Sequence, residues 1–516
     1  MISRRFFFAA ICCVAIVLPA FAQKKSPVHF VVSLEKPATQ TMQISMELDW
    51  QQTGPLQLKM PVWSPGYYQR LNYAQYVSGF SARDAAGNNI AWKKADESTW
   101  EMTPAKKGKL KINYEVKAAK AFVAQSWLDS SRGYIIPGAV CFYPKGEINR
   151  PINITIRPFA KWTDMATGLD RVKGKANTFF AEDYDVLYDS PILVGNLDSL
   201  KPFDVNGVPH YFTGHKLGEF DKESFIADLK AITSTSAALI GDIPFKHYTF
   251  IGIGPGAGGI EHLNSTTISF TGRGLDNRAG KIKMLNFIAH EYFHHYNAKR
   301  IRPFELGPFD YENGNRTNLL WIAEGLTVYY EYLILRRAGI TTEEELLSSV
   351  ASNIRAHETR EGKLYQSLVQ ASYETWSDGP FGRTGDGAKK TISYYDKGPV
   401  VGMLLDFTIR HHSGNKKSLD DVMRYMYHYY YKEKGRGYTD AEFQMACEAA
   451  AGTSLATFFE YVHTVKELDY DTILAYAGLQ LDRENYELKK LPSLTAAQSA
   501  IWGDWSRNRR SMSDVR

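Results

Sequence analysis

Cysteine is scarce in this chain: 4 in 516 positions, with Cys12 and Cys13 inside an amino-terminal apolar run. The remaining pair, Cys141 and Cys447, stands more than 300 positions apart. That excludes a disulfide framework and a thiolate zinc site, so any metal must be held by His, Asp or Glu. Charge of one sign is lacking as well. Lys plus Arg number 61 and Asp plus Glu 56, a formal +5, and nothing in that balance suggests nucleic acid or an anionic membrane surface as a partner. Long apolar runs are missing except at the start, MISRRFFFAAICCVAIVLPAFAQ. Two arginines, the apolar run and Ala20-Phe21-Ala22 before Gln23 read as a signal peptide over residues 1–22, so the protein is expected to be exported, periplasmic or secreted. A retained anchor is the alternative; the run is short for a spanning helix. Cleavage would remove Arg4 and Arg5 and lower the formal charge to +3.

No internal repeat or low-complexity segment organises the chain. Its length predicts two to four domains, and 44% hydrophobic residues suffice to bury them. From about residue 26 to 200 the pattern alternates in period two, as in TMQISMELDW, LQLKMPVW and KLKINYEV, with turn signals at SPG and AAGNN. This predicts an antiparallel β-sandwich over residues 23–200. After residue 220 the apolar period becomes helical, and capping signals recur at Thr342/Glu345, Ser418/Asp421 and Thr439/Glu442. A mainly helical domain is expected over residues 201–480, entered through a small mixed segment at 205–275. SDGPFGRTGDG, residues 377–387, is its one long loop, and such loops often border clefts.

The chemistry concentrates in HEYFHHYN, residues 290–297. On a helix His290 and His294 share one face, one turn apart, at a spacing that two ligands of one zinc can span. Glu291 sits one position round, free to take a proton from an attacking water. His295 is rotated about 100° from His294 and is left out of the ligand set. Leu285, Ile288, Ala289, Tyr292, Phe293 and Tyr296 form the apolar stripe that buries the helix. A catalytic zinc takes three protein ligands. WIAEGLTVYY offers Glu324 on the next helical segment, with Ala323 and Gly325 small enough for close helix approach. An oxyanion donor is also needed. SYYDKGPVVGMLLDFTIR offers Tyr394 and Tyr395, and composition gives no reason to choose between them. GPGAGG, residues 254–259, spells a dinucleotide-binding pattern, yet HLNSTTISF follows and supplies no helix for a pyrophosphate, so that reading is set aside.

HEYFHHYNAKRIRP, ELGPFDYE, LWIAEGLTVYYEYL and SYYDKGPVVGMLLDFTIR, together with MPVWSPGYY and GGIEHLNS, resemble the glycyl aminopeptidase family of gluzincin zinc metallopeptidases. The resemblance spans nearly all of the chain after residue 22. It implies a thermolysin-like α/β catalytic domain and one zinc per chain, held by His290, His294 and Glu324, with Glu291 as general base. It selects Tyr395, which directly precedes Asp396-Lys397-Gly398, as the transition-state donor. It also implies that GPGAGGIEH is the edge strand beside the metal, where Gly258, Gly259 and Glu261 bind substrate and Glu261 holds its free ammonium.

Two features depart from the family pattern. Tyr296 stands where tryptophan is usual, a change on the buried face. After LDYDTILAYAGLQLD 34 residues remain, too few for the PDZ domain common in the family, so residues 481–516 are expected to be a short tail. The resulting expectation is an exported zinc aminopeptidase that removes a small residue, Gly or Ala, from peptides through a zinc-activated water. The alternatives are a zinc endopeptidase of the same fold, a non-catalytic zinc-containing binding protein, and a gluzincin that opens a small electrophile. Peptides are the expected partners, with no nucleic acid and no membrane after signal cleavage.

Overall fold

The computed structural model describes residues 25–507 apart from Thr53 and Ala257. The expected signal peptide, residues 1–22, lies outside the described residues. Among those described, no helix is long and apolar enough to cross a membrane.

Alternating strands build the first half as the period-two pattern requires. A seven-stranded sheet is centred on Val28–Ser33, Thr41–Trp50 and Gly108–Lys117, and two four-stranded sheets complete the domain. Thr41–Trp50 shows the rule plainly: Met42, Ile44, Met46, Leu48 and Trp50 are buried while Gln43 and Glu47 face water. The sheets enclose one core that includes Phe30, Trp100, Tyr114 and Phe142. Strand alternation did not reveal the pairing. Val28–Ser33 runs parallel to Ile152–Arg157, so the expected antiparallel sandwich contains a parallel pair, made through a long connection rather than a hairpin.

The second domain opens on a mixed sheet. Val208–Gly214, Tyr248–Gly252 and Ser265–Ile268 are parallel, the first crossover being the helix Lys222–Ile240, and Gly259–Glu261 lies antiparallel at the edge. Helices cover this sheet. Capping boxes start Glu343–Glu358, Leu419–Tyr425 and Asp440–Ala451 at the three positions read from sequence. The last described segments, across the stretch expected as a short tail, form a hairpin and a helix. Leu479–Asp482 pairs with Glu487–Lys490, and Ala496–Ser506 buries Ile501, Trp502 and Trp505 in the helical domain's core. The Trp505 indole donates to the Tyr329 hydroxyl at 2.9 Å. Two tryptophans three apart on a helix, one turn above the other, supply that apolar face.

The domains meet beside the expected site. The loop between the HExxH helix and Glu324 reaches into the β-rich domain, where Tyr311 joins the core and donates to Asp185 at 2.6 Å. In return, the Trp63 indole donates to the carbonyl of Asp310 at 2.8 Å.

Candidate active site

Four segments carry the site. Helix Arg278–Phe293, capped by Asn277, presents His290 and Glu291, and His294 is its C-cap. Glu324 lies in a wide π-turn, Trp321–Gly325, that leads into helix Leu326–Arg337. Such turns recur at functional sites because one extra residue re-aims a side chain. Tyr395 stands in the first turn of helix Tyr394–His412. Pro399 has no N–H to bond the carbonyl four residues earlier, which is that of Tyr395. Asn353 takes its place, donating to that carbonyl at 3.1 Å. The glutamate turn and the tyrosine helix meet backbone to backbone at glycines: a Cβ on Gly325 would sit 2.7 Å from the Cα of Gly398. The edge strand Gly259–Glu261 closes the fourth side.

Side chains converge as follows. One ligand atom each from His290, His294 and Glu324 lie within 4.8 Å of one another, all three residues being buried. The two Nε2 atoms are 2.9 Å apart, and Glu324 Oε2 stands 3.5 Å from His290 Nε2 and 3.1 Å from His294 Nε2. The far side of each imidazole faces an acceptor, Glu331 Oε2 at 2.9 Å from His290 Nδ1 and the Asn297 carbonyl at 2.8 Å from His294 Nδ1. Those acceptors fix the Nδ1–H tautomer of each neutral ring, so both Nε2 lone pairs and a carboxylate point at one buried spot. That arrangement demands positive charge there, and two imidazoles plus one carboxylate are a donor set suited to zinc.

Electrostatics agree. Burial pushes the His290 and His294 imidazoles down, and the nearby carboxylates more than offset it, so both are raised above the usual histidine range. Burial raises Glu324, but the two imidazoles outweigh it and hold the carboxyl well below its usual value. Burial lifts Glu291 to about 7, only partly offset by His290 and His294. Thr266 Oγ1 donates to Glu291 Oε2 at 3.4 Å, and Gly259 leaves the edge-strand backbone against its other oxygen, where a Cβ would sit 2.5 Å from Oε1. The Tyr395 hydroxyl donates to Glu324 Oε2 at 2.9 Å, whereas that of Tyr394 pairs with Thr375 at 3.0 Å. Glu261 is buried, with a Cβ on Gly66 lying 2.9 Å from its Oε2. Gly258 precedes that strand at φ +81°. His295 lies away from the cluster, packed among Phe245, Tyr248, Tyr292 and Tyr296. The Tyr296 hydroxyl donates to the carbonyl of Asp242.

Several residues here escaped the sequence reading. Glu331 lies seven after Glu324, two turns on along the same helical face, a spacing that could have flagged it. Asn297 Nδ2 donates to the carbonyls of Ile322 and Ala323 at 2.8 and 3.2 Å and to Thr327 Oγ1 at 3.0 Å, tying the His294 turn to the Glu324 turn. Tyr68, from the β-rich domain, feels the charges of Glu324 and Glu261 after the larger effect of burial, and its phenol is raised well above the usual range. Phe381, in the 377–387 loop, is 68% exposed and rests 5.3 Å from the Tyr395 ring.

A histidine-bearing helix, a glutamate turned toward it and a flanking β-rich domain define the class as a metallopeptidase. The chain matches the Peptidase M61 N-terminal domain over residues 29–196 and the M61 glycyl aminopeptidase domain over residues 283–401, together more than half of its length. It belongs to the M61 glycyl aminopeptidase family. Among solved structures it is similar to an aminopeptidase N family protein from Idiomarina loihiensis, at 25% identity and TM-score 0.82, covering 88% of this chain and 78% of that one. The M1 zinc metallopeptidase from Deinococcus radiodurans shares the fold at 13% identity and TM-score 0.53, covering 86% and 95%. A mutant of that enzyme bound to a Tyr-Ser-Ala substrate aligns at 12% identity and TM-score 0.51, with the same coverage. No curated protein matches the chain.

Proposed function

We propose that this peptidase is an exported, zinc-dependent aminopeptidase that removes glycine or alanine from the free amino terminus of peptides. The observation that carries the reading is the meeting of His290, His294 and Glu324 around one spot with Glu291 and Tyr395 at its rim. Glu261 supports an end suited to a cation: it is buried, and its nearest cation, Lys299, stands 3.7 Å from Oε1 and is hydrogen-bonded to Asp189 instead. A tripeptide on the related Deinococcus enzyme is in keeping with a peptide substrate. The apolar, arginine-led segment 1–22 supports export. The close backbone of Gly66, where a Cβ would sit 2.9 Å from Glu261 Oε2, and the charges of Glu261 and Glu324 felt by Tyr68 support a small first side chain.

Zinc held by His290, His294 and Glu324 would supply Lewis acidity for the scissile carbonyl and for the attacking water. The chain does the rest. Glu261 accepts the substrate ammonium and sets the register, so the first peptide bond comes opposite Glu291. Glu291 takes a proton from the water as its oxygen bonds to the carbonyl carbon, then gives that proton to the leaving nitrogen as the C–N bond breaks. Tyr395 turns its hydroxyl from Glu324 to the developing oxyanion. The test compares free and N-acetylated glycyl and alanyl peptides. Free peptides should be cut on the order of ten to a hundred times faster, the worth of a lost charge-assisted bond. Equal rates would leave a zinc endopeptidase.

A further inference from the structure

Three buried charges lie in a row where the two domains meet. Asp189 follows the short helix Tyr184–Tyr188 of the β-rich domain, Lys299 follows the HExxH turn, and Glu261 ends the edge strand. Their side chains are 9%, 7% and 6% exposed. The row is not evenly spaced. Lys299 Nζ donates to Asp189 Oδ1 at 2.7 Å and stands 3.7 Å from Glu261 Oε1, an ion pair too long for a hydrogen bond. Asp189 is itself anchored, accepting from the Leu263 N–H at 2.7 Å and lying 3.2 Å from His262 Nδ1. One carboxylate from the β-rich domain therefore holds both the lysine and the strand that carries Glu261.

The three charges leave one net negative charge. A lysine this close is an intramolecular rival for any ammonium that Glu261 could bind, present at a far higher effective concentration than a substrate. Where the lysine rests decides whether Glu261 is free. We infer that Asp189 is a positioning residue of the amino-terminus site: it holds the Lys299 ammonium hydrogen-bonded to itself and only at ion-pair distance from Glu261, so that the Glu261 oxygens stay open to a free, protonated amino terminus. The inference rests on the reading of Glu261 in the proposed function. Burial raises Asp189, but Lys299 and His262 together more than offset it and hold the carboxyl below its usual range.

The experiment measures kcat and KM on alanyl peptides with free and acetylated amino termini, with zinc content, for the full protein and three variants. In Asp189→Asn the lysine turns to Glu261. KM for free peptides should rise tenfold or more, kcat should stay within a few-fold, and zinc should be retained. Asp189→Asn with Lys299→Met removes donor and acceptor together, a swap that buried ion pairs tolerate. It should bring KM back to within a few-fold of wild type, a rescue that a merely structural role for Asp189 would not give. Lys299→Met alone should leave KM for free peptides no higher than wild type, which keeps the test alive if Asp189→Asn misfolds. A raised KM in Lys299→Met, an unchanged KM in Asp189→Asn, or a double variant as impaired as Asp189→Asn would each overturn the inference while Glu261 keeps its role. A wild type that does not distinguish free from blocked peptides would overturn the role of Glu261 and this inference with it.

Discussion

Asn297 joins two of the three ligand-bearing turns, and removing its side chain should loosen the metal without touching a ligand. Its backbone carbonyl accepts from His294 Nδ1 and survives substitution by alanine, so the histidine keeps its tautomer. What disappears is the Nδ2 donor to the carbonyls of Ile322 and Ala323 and to Thr327, in a place with 0% exposure. The Ala323 carbonyl keeps the Thr327 hydroxyl at 2.7 Å, so what is lost is the amide's share of these bonds, about 0.5–1.5 kcal/mol each. That loss falls on the turn holding Glu324, and outer partners of metal ligands typically set roughly 10–100-fold in metal affinity. Asn297→Ala should therefore weaken zinc binding by about that factor in chelator competition. Asn297→Asp, which turns a carboxylate oxygen toward the two carbonyls, should do at least as much harm. Glu331→Gln, acting through His290, is the companion variant. Wild-type zinc affinity in both Asn297 variants would refute the reasoning.

Tyr395→Phe should lower kcat by about a hundred- to thousandfold, the usual loss for one oxyanion donor, while Tyr394→Phe, which loses only the Thr375 contact, should stay near wild type. Gly325→Ala forces a methyl group to within 2.7 Å of the Gly398 Cα, where backbone cannot yield as a side chain would. It should lower stability by about 1–3 kcal/mol and reduce kcat by parting Glu324 from Tyr395, as thermal melts and kinetics would show. His210, buried between Phe203 and Tyr248, has its imidazole pushed down by burial to about 4. In the unfolded chain it takes up its proton near 6.5, so its contribution is whole above that pH and is lost as pH falls toward 4, on the order of 3 kcal/mol. Melts of His210→Gln should show a shallower acid decline than wild type; parallel declines would refute this.

The division into a β-rich and a helical half was legible because burial period differs between strand and helix, as Met42 to Trp50 and the stripe from Leu285 to Tyr296 show. Helix starts were legible because capping is local chemistry, and three boxes stand where Thr342, Ser418 and Thr439 placed them. His290, Glu291 and His294 could be seen from spacing along one helix. Glu324 needed only the next helix. The parallel pairing of Val28–Ser33 with Ile152–Arg157 could not be read, because alternation fixes which face a residue takes and not its neighbour strand. Nor could Asp189 and Lys299, which are 110 positions apart and meet only through domain docking. Asn297 was hidden for another reason: its role depends on a π-turn, and WIAEG reads as ordinary helix.

The most direct test of the active site measures zinc content and hydrolysis of glycyl and alanyl anilides together, for the protein and for Glu291→Gln. Glu291 touches no ligand nitrogen and its amide analogue fills the same space beside Thr266 and Gly259. Wild type should hold one zinc per chain and cleave the anilides, and Glu291→Gln should hold the same zinc with turnover lower by several orders of magnitude. Undiminished cleavage by Glu291→Gln, or zinc that persists after His290→Ala and His294→Ala, would contradict the assignment of this site.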